Sequence, residues 1–293
     1  FWLRATLEPR SYEMIRSAYA DISISCGAAT APAHLLWAQT IGSKTIHLNM
    51  SRWPSWKRFH LAVISRHDRP PQPISSNLLL VDGAIAPVAQ STPDKKNHWH
   101  SQLGLRKKLQ IGLLLGGPAR GAVLTPGQVR QSVSALLSSA EALDAELLVT
   151  TSRRTPVELE KMLKEMLKRD PRCRLLVLVN HHDAGGLEGT SQAVGCIFEC
   201  AHIVVVSGDS ISMVSEAVAQ HKPVVSFLPQ PTRWFFGTPK YHRYLQDLSR
   251  QGRLVLVEPG KVGEAVLKAL DGNGKGPVNS DRDPIVEHLV KWL

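Results

Sequence analysis

The chain has no long apolar run. No window approaches ~18 uninterrupted apolar residues, which excludes a helix that spans a bilayer. It has only four cysteines, Cys26, Cys173, Cys196 and Cys200, in neither a metal-ligand spacing nor a dense disulfide pattern. They read as buried free thiols of a reducing compartment, with Cys196 and Cys200 on one helix face. There is no Gly-Lys-Ser/Thr loop and no GxGxxG, so kinase P-loops and the dehydrogenase fingerprint are excluded. Neither an RNA-binding aromatic signature nor a helix-turn-helix pattern occurs, and no nucleic-acid partner is expected. Acids are in deficit, 25 against 35 Lys plus Arg, for a net charge of +10. That balance favours an anionic partner such as a nucleotide phosphate or an acidic membrane surface. Phe1-Trp2-Leu3 runs straight into Arg4 and Glu8, which is no signal peptide, and a first residue other than Met reads as processing or truncation.

What is present is an ordinary globular composition. Hydrophobic residues make up 43% of the 293 residues and charged ones 20%, enough for a sizeable core in one large or two medium domains. The most informative stretch runs from Ile203 to Ala217. The β-branched run Ile203 to Val206 predicts a parallel strand buried on both faces. Gly208 is expected to take a backbone angle that other residues resist, and Asp209 or Ser210 to cap the helix that follows. A helix N-terminus of this kind can hold a phosphate, with Ser207, Ser210 and Ser212 nearby and Glu216 within reach of a ribose. A plain β-α-β unit, in which Ser and Asp only cap, explains the same spacing. Lys222 to Phe227 supplies the second buried strand.

Similar units precede it. Leu109 to Leu115 predicts a strand ending in Gly116-Gly117-Pro118, where backbone N–H groups can approach a diphosphate. Thr125-Pro126 opens a helix to about Leu143. Glu146 to Thr151 predicts a strand that ends in Ser152-Arg153-Arg154-Thr155-Pro156. There the two arginines suggest an anion site and Thr155 a cap for a helix through Lys168. Nearer the start, Asp21 to Gly27, Lys44 to Leu48, Leu61 to Ile64 and Asn77 to Val81 read as strands, and Ala28 to Thr40 as a helix. His67 and Asp68 follow one of these strands, a place where open α/β sheets put ligand groups, and form a candidate base and its orienting acid. A turn with local ion pairs is the alternative. Trp53, Trp56 and Phe59 lie among Arg52, Lys57 and Arg58, which suits either a headgroup layer or packing under a loop. Residues 87–108 shift to proline and charge and mark a domain boundary, giving domains of 1–104 and 105–293. His98 with His100, and His181-His182-Asp183, lack further ligands, so no metal is expected. Pro284 to Leu293 reads as a final amphipathic helix.

In this order, His67-Asp68-Arg69-Pro70, Gly116-Gly117-Pro118, Thr150 to Pro156 and Asp209 to Ala217 resemble the mitochondrial fission protein family, whose bacterial members are described as glycosyltransferases. The resemblance runs from about Asp21 to about Val257. It implies an α/β fold of GT-B type, two Rossmann-like domains with a cleft between them, the second binding a nucleotide-diphosphate sugar. It implies Gly116, Gly117 and Arg153 or Arg154 at the diphosphate, Asp209 and Ser210 in support, and Glu216 on the ribose. No cofactor is implied beyond the donor substrate. The acceptor is unknown, a lipid-linked one being compatible with the basic surface. The expected location is cytoplasmic, with peripheral contact at the inner membrane face, and the expected role is cell-envelope glycan synthesis. His181 to Thr190 lacks the Gly-x-x-Pro-Asn-Pro-Tyr segment of many relatives. A non-catalytic adaptor in organelle or membrane division, and a nucleotide-sugar epimerase, are the alternatives.

Overall fold

The computed structural model describes residues 2–83, 92–119, 121–181, 190–232, 239–271 and 290. The expectations for His182 and Asp183, and for the helix at 284–293 apart from residue 290, therefore fall outside the described residues. The chain divides into two compact units, one of Phe1–Ala84 with Asp281–Leu293, the other of Ile85–Ser280. That break lies ahead of the 104/105 boundary expected from composition. Residues 93–103 form a helix whose Trp99 and Leu103, with Leu105, pack on the second unit's core.

The first unit begins with two short helices, α1 (Trp2–Thr6) and α2 (Pro9–Arg16). Then come β1 (Ile22–Cys26), α3 (Ala31–Ile41), β2 (Lys44–Leu48), β3 (Leu61–Ser65) and β4 (Leu78–Val81). The four strands form one parallel sheet in sequence order. β3 is buried along its whole length, as a strand covered on both faces should be. The Trp53–Phe59 segment is only in part a surface feature. Trp56 and Phe59 are 4% and 3% exposed, whereas Trp53 is 79% exposed. Two of its three aromatics therefore serve the core.

The second unit contains α4 (Pro93–Leu103), β5 (Leu109–Leu115), β6 (Ala122–Val123), α5 (Pro126–Ala142), β7 (Ala145–Thr151), α6 (Val157–Leu167), β8 (Cys173–Val177) and α7 (Thr190–Cys200). It continues with β9 (Ile203–Ser207), α8 (Ile211–Ala219), β10 (Val224–Phe227), β11 (Gln230–Pro231), α9 (Lys240–Arg250), β12 (Val255–Val257) and α10 (Val262–Asp271). Its main sheet has six parallel strands in the order β12-β10-β9-β5-β7-β8. The chain winds outward from β5 through β7 and β8, returns, and winds the other way through β9, β10 and β12. The direction reverses between β5 and β9, and the crevice at the carboxyl ends of those two strands is where open α/β sheets bind ligands.

Two hydrophobic clusters cover the sheet. On one side Leu113, Val149, Val205 and Phe227 meet Val133, Leu163 and Val266 of α5, α6 and α10. On the other, Leu114, Val204 and Val206 meet Ile197, Val214 and Leu245 of α7, α8 and α9. Thr125 caps α5 in a full capping box, its hydroxyl accepting from Gln128 N–H while the Gln128 side chain returns to the Thr125 N–H.

Candidate functional site

The crevice between β5 and β9 is built by two turns that lock together. After β5, the Gly116 N–H donates to the Ser207 hydroxyl over 2.8 Å, and the Gly117 N–H donates to Asp209 Oδ2 over 2.8 Å. Both glycines are required by close approach. A Cβ at Gly116 would overlap the Asp209 carboxylate, and one at Gly117 would overlap the Arg154 carbonyl. Gly208 is required for the same kind of reason. It takes no left-handed backbone angle, but its Cα lies against Leu245 and the Phe227 carbonyl, to which its own N–H donates. The expected positive φ is thus replaced by a steric need.

These bonds change the meaning of the glycine turn. The sequence places the Gly116 and Gly117 N–H groups toward a diphosphate, but both are used inside the protein, by Ser207 and Asp209. Asp209 is 3% exposed, and its Oδ1 is buried with no hydrogen-bond partner among the described residues. Burial pushes its carboxyl up from the usual carboxylate range, against the Ser207 hydroxyl, the Gly117 N–H and the Arg154 guanidinium, which pull it down. The Arg154 guanidinium lies 3.6 Å from Asp209 Oδ2 and donates to the Pro118 carbonyl over 3.0 Å. Arg153 is exposed. Thr155, expected as a helix cap, does something else. Its hydroxyl donates to the Gly116 and Leu115 carbonyls and accepts from Ser152 N–H, tying the two turns together.

Ser210, not Asp209, caps α8, its hydroxyl accepting from Met213 N–H. The first turn of a helix leaves its N–H groups without intrahelical acceptors. Those of Ile211 and Ser212 have no acceptor among the described residues. Ser212 is exposed, and Glu216, four residues on, shares its face of the helix. The Glu216 carboxylate is half-buried, has no partner among the described residues, and is pushed up by burial. The structure thus brings Gly116, Gly117, Arg154, Ser207, Asp209 and Ser210 together and leaves Ser212 and Glu216 as the accessible polar groups of α8. Tyr241, which sequence reasoning did not single out, also belongs here. Its hydroxyl donates to the Gly121 carbonyl, and burial and then the Asp209 charge raise its pKa.

His67 and Asp68 lie in the first unit, on a single 3-10 turn (Arg66–Asp68) that follows β3. His67 is buried, and Arg66 pairs with Asp82 at 3.1 Å. The first unit holds a second polar group that sequence reasoning missed. Between α3 and the sheet, Ser25 Oγ lies 2.6 Å from His34 Nδ1 and 2.8 Å from His47 Nδ1. His34 Nε2 reaches Ser23, and His47 stacks on Phe59 at 4.5 Å. Nothing in the local sequence announces this cluster, because its members come from three elements. Among the described residues no three His, Cys, Asp or Glu side chains are grouped to hold a metal, and no helix is long and apolar enough to cross a membrane.

A family model described as mitochondrial fission ELM1 matches residues 2–274. A comparison with the curated proteins found no match. Among solved structures, the chain is similar to a UDP-GlcNAc 2-epimerase from Methanocaldococcus jannaschii in complex with UDP-GlcNAc and UDP. The two share 13% identity over 96% of this chain and 79% of that one, with a TM-score of 0.54. It is also similar to Alr3699/HepE of Anabaena in complex with UDP-glucose, at 10% identity over 97% and 79% of the two chains and a TM-score of 0.53. Phytolacca americana UGT2, complexed with UDP-2fluoro-glucose and pterostilbene, gives 10% identity, 94% and 71% coverage and a TM-score of 0.51. At these identities the likeness establishes the fold, two Rossmann-like domains of the GT-B kind.

Proposed function

The chain belongs to the mitochondrial fission ELM1 family, and from that premise we propose that it is a glycosyltransferase of GT-B type. In this reading the second unit holds a nucleotide-diphosphate sugar and the sugar passes to an acceptor hydroxyl. The observation that carries it is Glu216, a half-buried carboxylate with no partner among the described residues, on the same face of α8 as the exposed Ser212. A carboxylate one turn from a helix start suits ribose hydroxyls while the diphosphate lies at the helix N-terminus. The N–H groups of Ile211 and Ser212 and the guanidinium groups of Arg153 and Arg154 supply the positive field where charge grows on the leaving diphosphate. Arg154 would exchange Asp209 for the ligand. His67, with Asp68, is the proposed base for the acceptor hydroxyl. The solved neighbours named above that carry UDP or a UDP-sugar support a donor of that class.

The test is thermal stabilisation of the chain by UDP, GDP, CMP and ADP, with Glu216→Ala beside the parent chain. A shift with one nucleotide that disappears in the variant supports the donor site, because a ligand that binds only the native state raises its stability. His67→Gln should then lower turnover and leave the nucleotide shift intact.

A second reading has its own observation. The Gly116 and Gly117 N–H groups, the natural diphosphate donors of such a turn, are held by Ser207 and by the buried carboxylate of Asp209. That arrangement suits a non-catalytic adaptor that keeps the fold and has given up the donor. No shift with any of the four nucleotides would favour it.

A further inference from the structure

We propose that the outward face of α6, together with His181, is a docking surface for an anionic lipid bilayer. The face is a by-product of how α6 packs. The helix buries Leu159, Met162, Leu163 and Leu167 against the sheet and so turns the opposite residues to solvent. In the stretch 161–169 these are the exposed Lys161 and the half-buried Lys164, continued just past the helix end by the exposed Lys168 and Arg169, with Glu165 as the one acid in that stretch. With His181, at the end of the 3-10 turn after β8, they line an open groove of about 430 Å³. Lys161, Lys168 and Arg169 make no ion pair among the described residues.

The shape of the cluster selects the partner. At a rise of ~1.5 Å per residue, Lys161 and Lys168 are separated by about 10 Å along the helix, wider than one phosphate group. Among the described residues that line the groove, none is a buried polar side chain that would fix a single small anion. The cations ride on flexible stems at the surface, which is how polybasic segments meet a leaflet of acidic headgroups. The overall charge of +10 adds long-range attraction toward such a surface. The inference stands apart from the nucleotide-sugar reading, since it uses none of the same residues.

The experiment is cosedimentation of the full chain with phosphatidylcholine vesicles, with and without phosphatidylglycerol. Two variants are compared with the parent. K161Q/K164Q/K168Q/R169Q empties the groove, and K95Q/K108Q/K261Q/K268Q removes the same charge from scattered exposed sites. All eight side chains leave the core untouched, and circular dichroism with melting curves verifies that both variants are folded. The expected result is that the parent and the scattered variant partition onto phosphatidylglycerol vesicles, and that the groove variant binds at least about tenfold more weakly. Binding should fall as salt shortens the screening length. The proposal is overturned if the parent ignores phosphatidylglycerol, or if the two variants lose binding equally, which would mean net charge alone. It is also overturned if the groove cations bind inorganic pyrophosphate in calorimetry while vesicle binding is unchanged by their loss.

Discussion

The Gly117 N–H donates to Asp209 Oδ2 over 2.8 Å, joining the turn after β5 to the turn after β9. A buried carboxylate thus closes the carboxyl end of the crevice at which the sheet reverses direction. Asp209→Ala leaves that N–H buried without an acceptor, an expected loss of about 1–3 kcal/mol. Asp209→Asn keeps an acceptor and should lose much less. Urea denaturation of the two variants separates the hydrogen bond from the charge, and equal losses would show that the charge, through Arg154, is what matters.

Gly116→Ala is expected to destabilise the chain by about 1–3 kcal/mol, because its Cβ would overlap the Asp209 carboxylate. Combining it with Asp209→Gly should recover part of that loss, since the clash disappears. A double-mutant cycle measured by thermal melts gives the coupling directly.

The His34–Ser25–His47 cluster predicts acid sensitivity. Burial, and next the nearby His34, lower the His47 pKa to about 4 from the ordinary 6.5. His34 is lowered too, chiefly by burial. An unfolded chain therefore takes up protons at these positions before the folded one does. Stability should be full above about pH 6.5, decline as pH falls toward about 4, and level off below that. Solvent screening holds the swing from His47 below about 3 kcal/mol. In His47→Gln this part of the pH dependence should flatten; an unchanged slope in urea melts across the window would refute the assignment.

The thiols make a kinetic prediction. Cys26 is exposed, Cys196 and Cys200 are fully buried, and burial holds the Cys173 thiol up at about 12. Reaction with a colorimetric disulfide reagent at neutral pH should show one rapid thiol in the native protein and four after denaturation. Cys26→Ser should abolish the rapid phase.

Much of the second unit is legible in the sequence because its central strands are buried. Leu113 to Leu115 and Ile203 to Val206 read as continuous apolar runs, and Thr125 before Pro126 is a local cap signal. The helix at 93–103 was not legible, since only Trp99 and Leu103 of its eleven residues pack inward and the rest is polar. In the site, the types and spacing of Gly116, Gly117, Ser207 and Asp209 were visible, but their use was not. Whether a glycine N–H faces a ligand or a neighbouring turn depends on which strands are adjacent, and β5 and β9 are far apart in the chain. Thr155 misled for the same reason, its hydroxyl going to the β5 turn rather than to its own helix. Expecting all four thiols to be buried failed at Cys26, which sits at the last residue of an edge strand, and held only in part at the half-buried Cys173.

The winding order of the second unit has a consequence for how it can be taken apart. β5 and β9 pair side by side, yet β7 and β8 lie between them in sequence. Each half of the sheet holds one wall of the crevice, so neither half alone can retain it. Two separately expressed fragments, divided between β8 and α7, would each display an unpaired central strand with the same partner in view. Their reassembly would rebuild the Gly117–Asp209 contact in one step, which makes this unit a natural scaffold for fragment complementation.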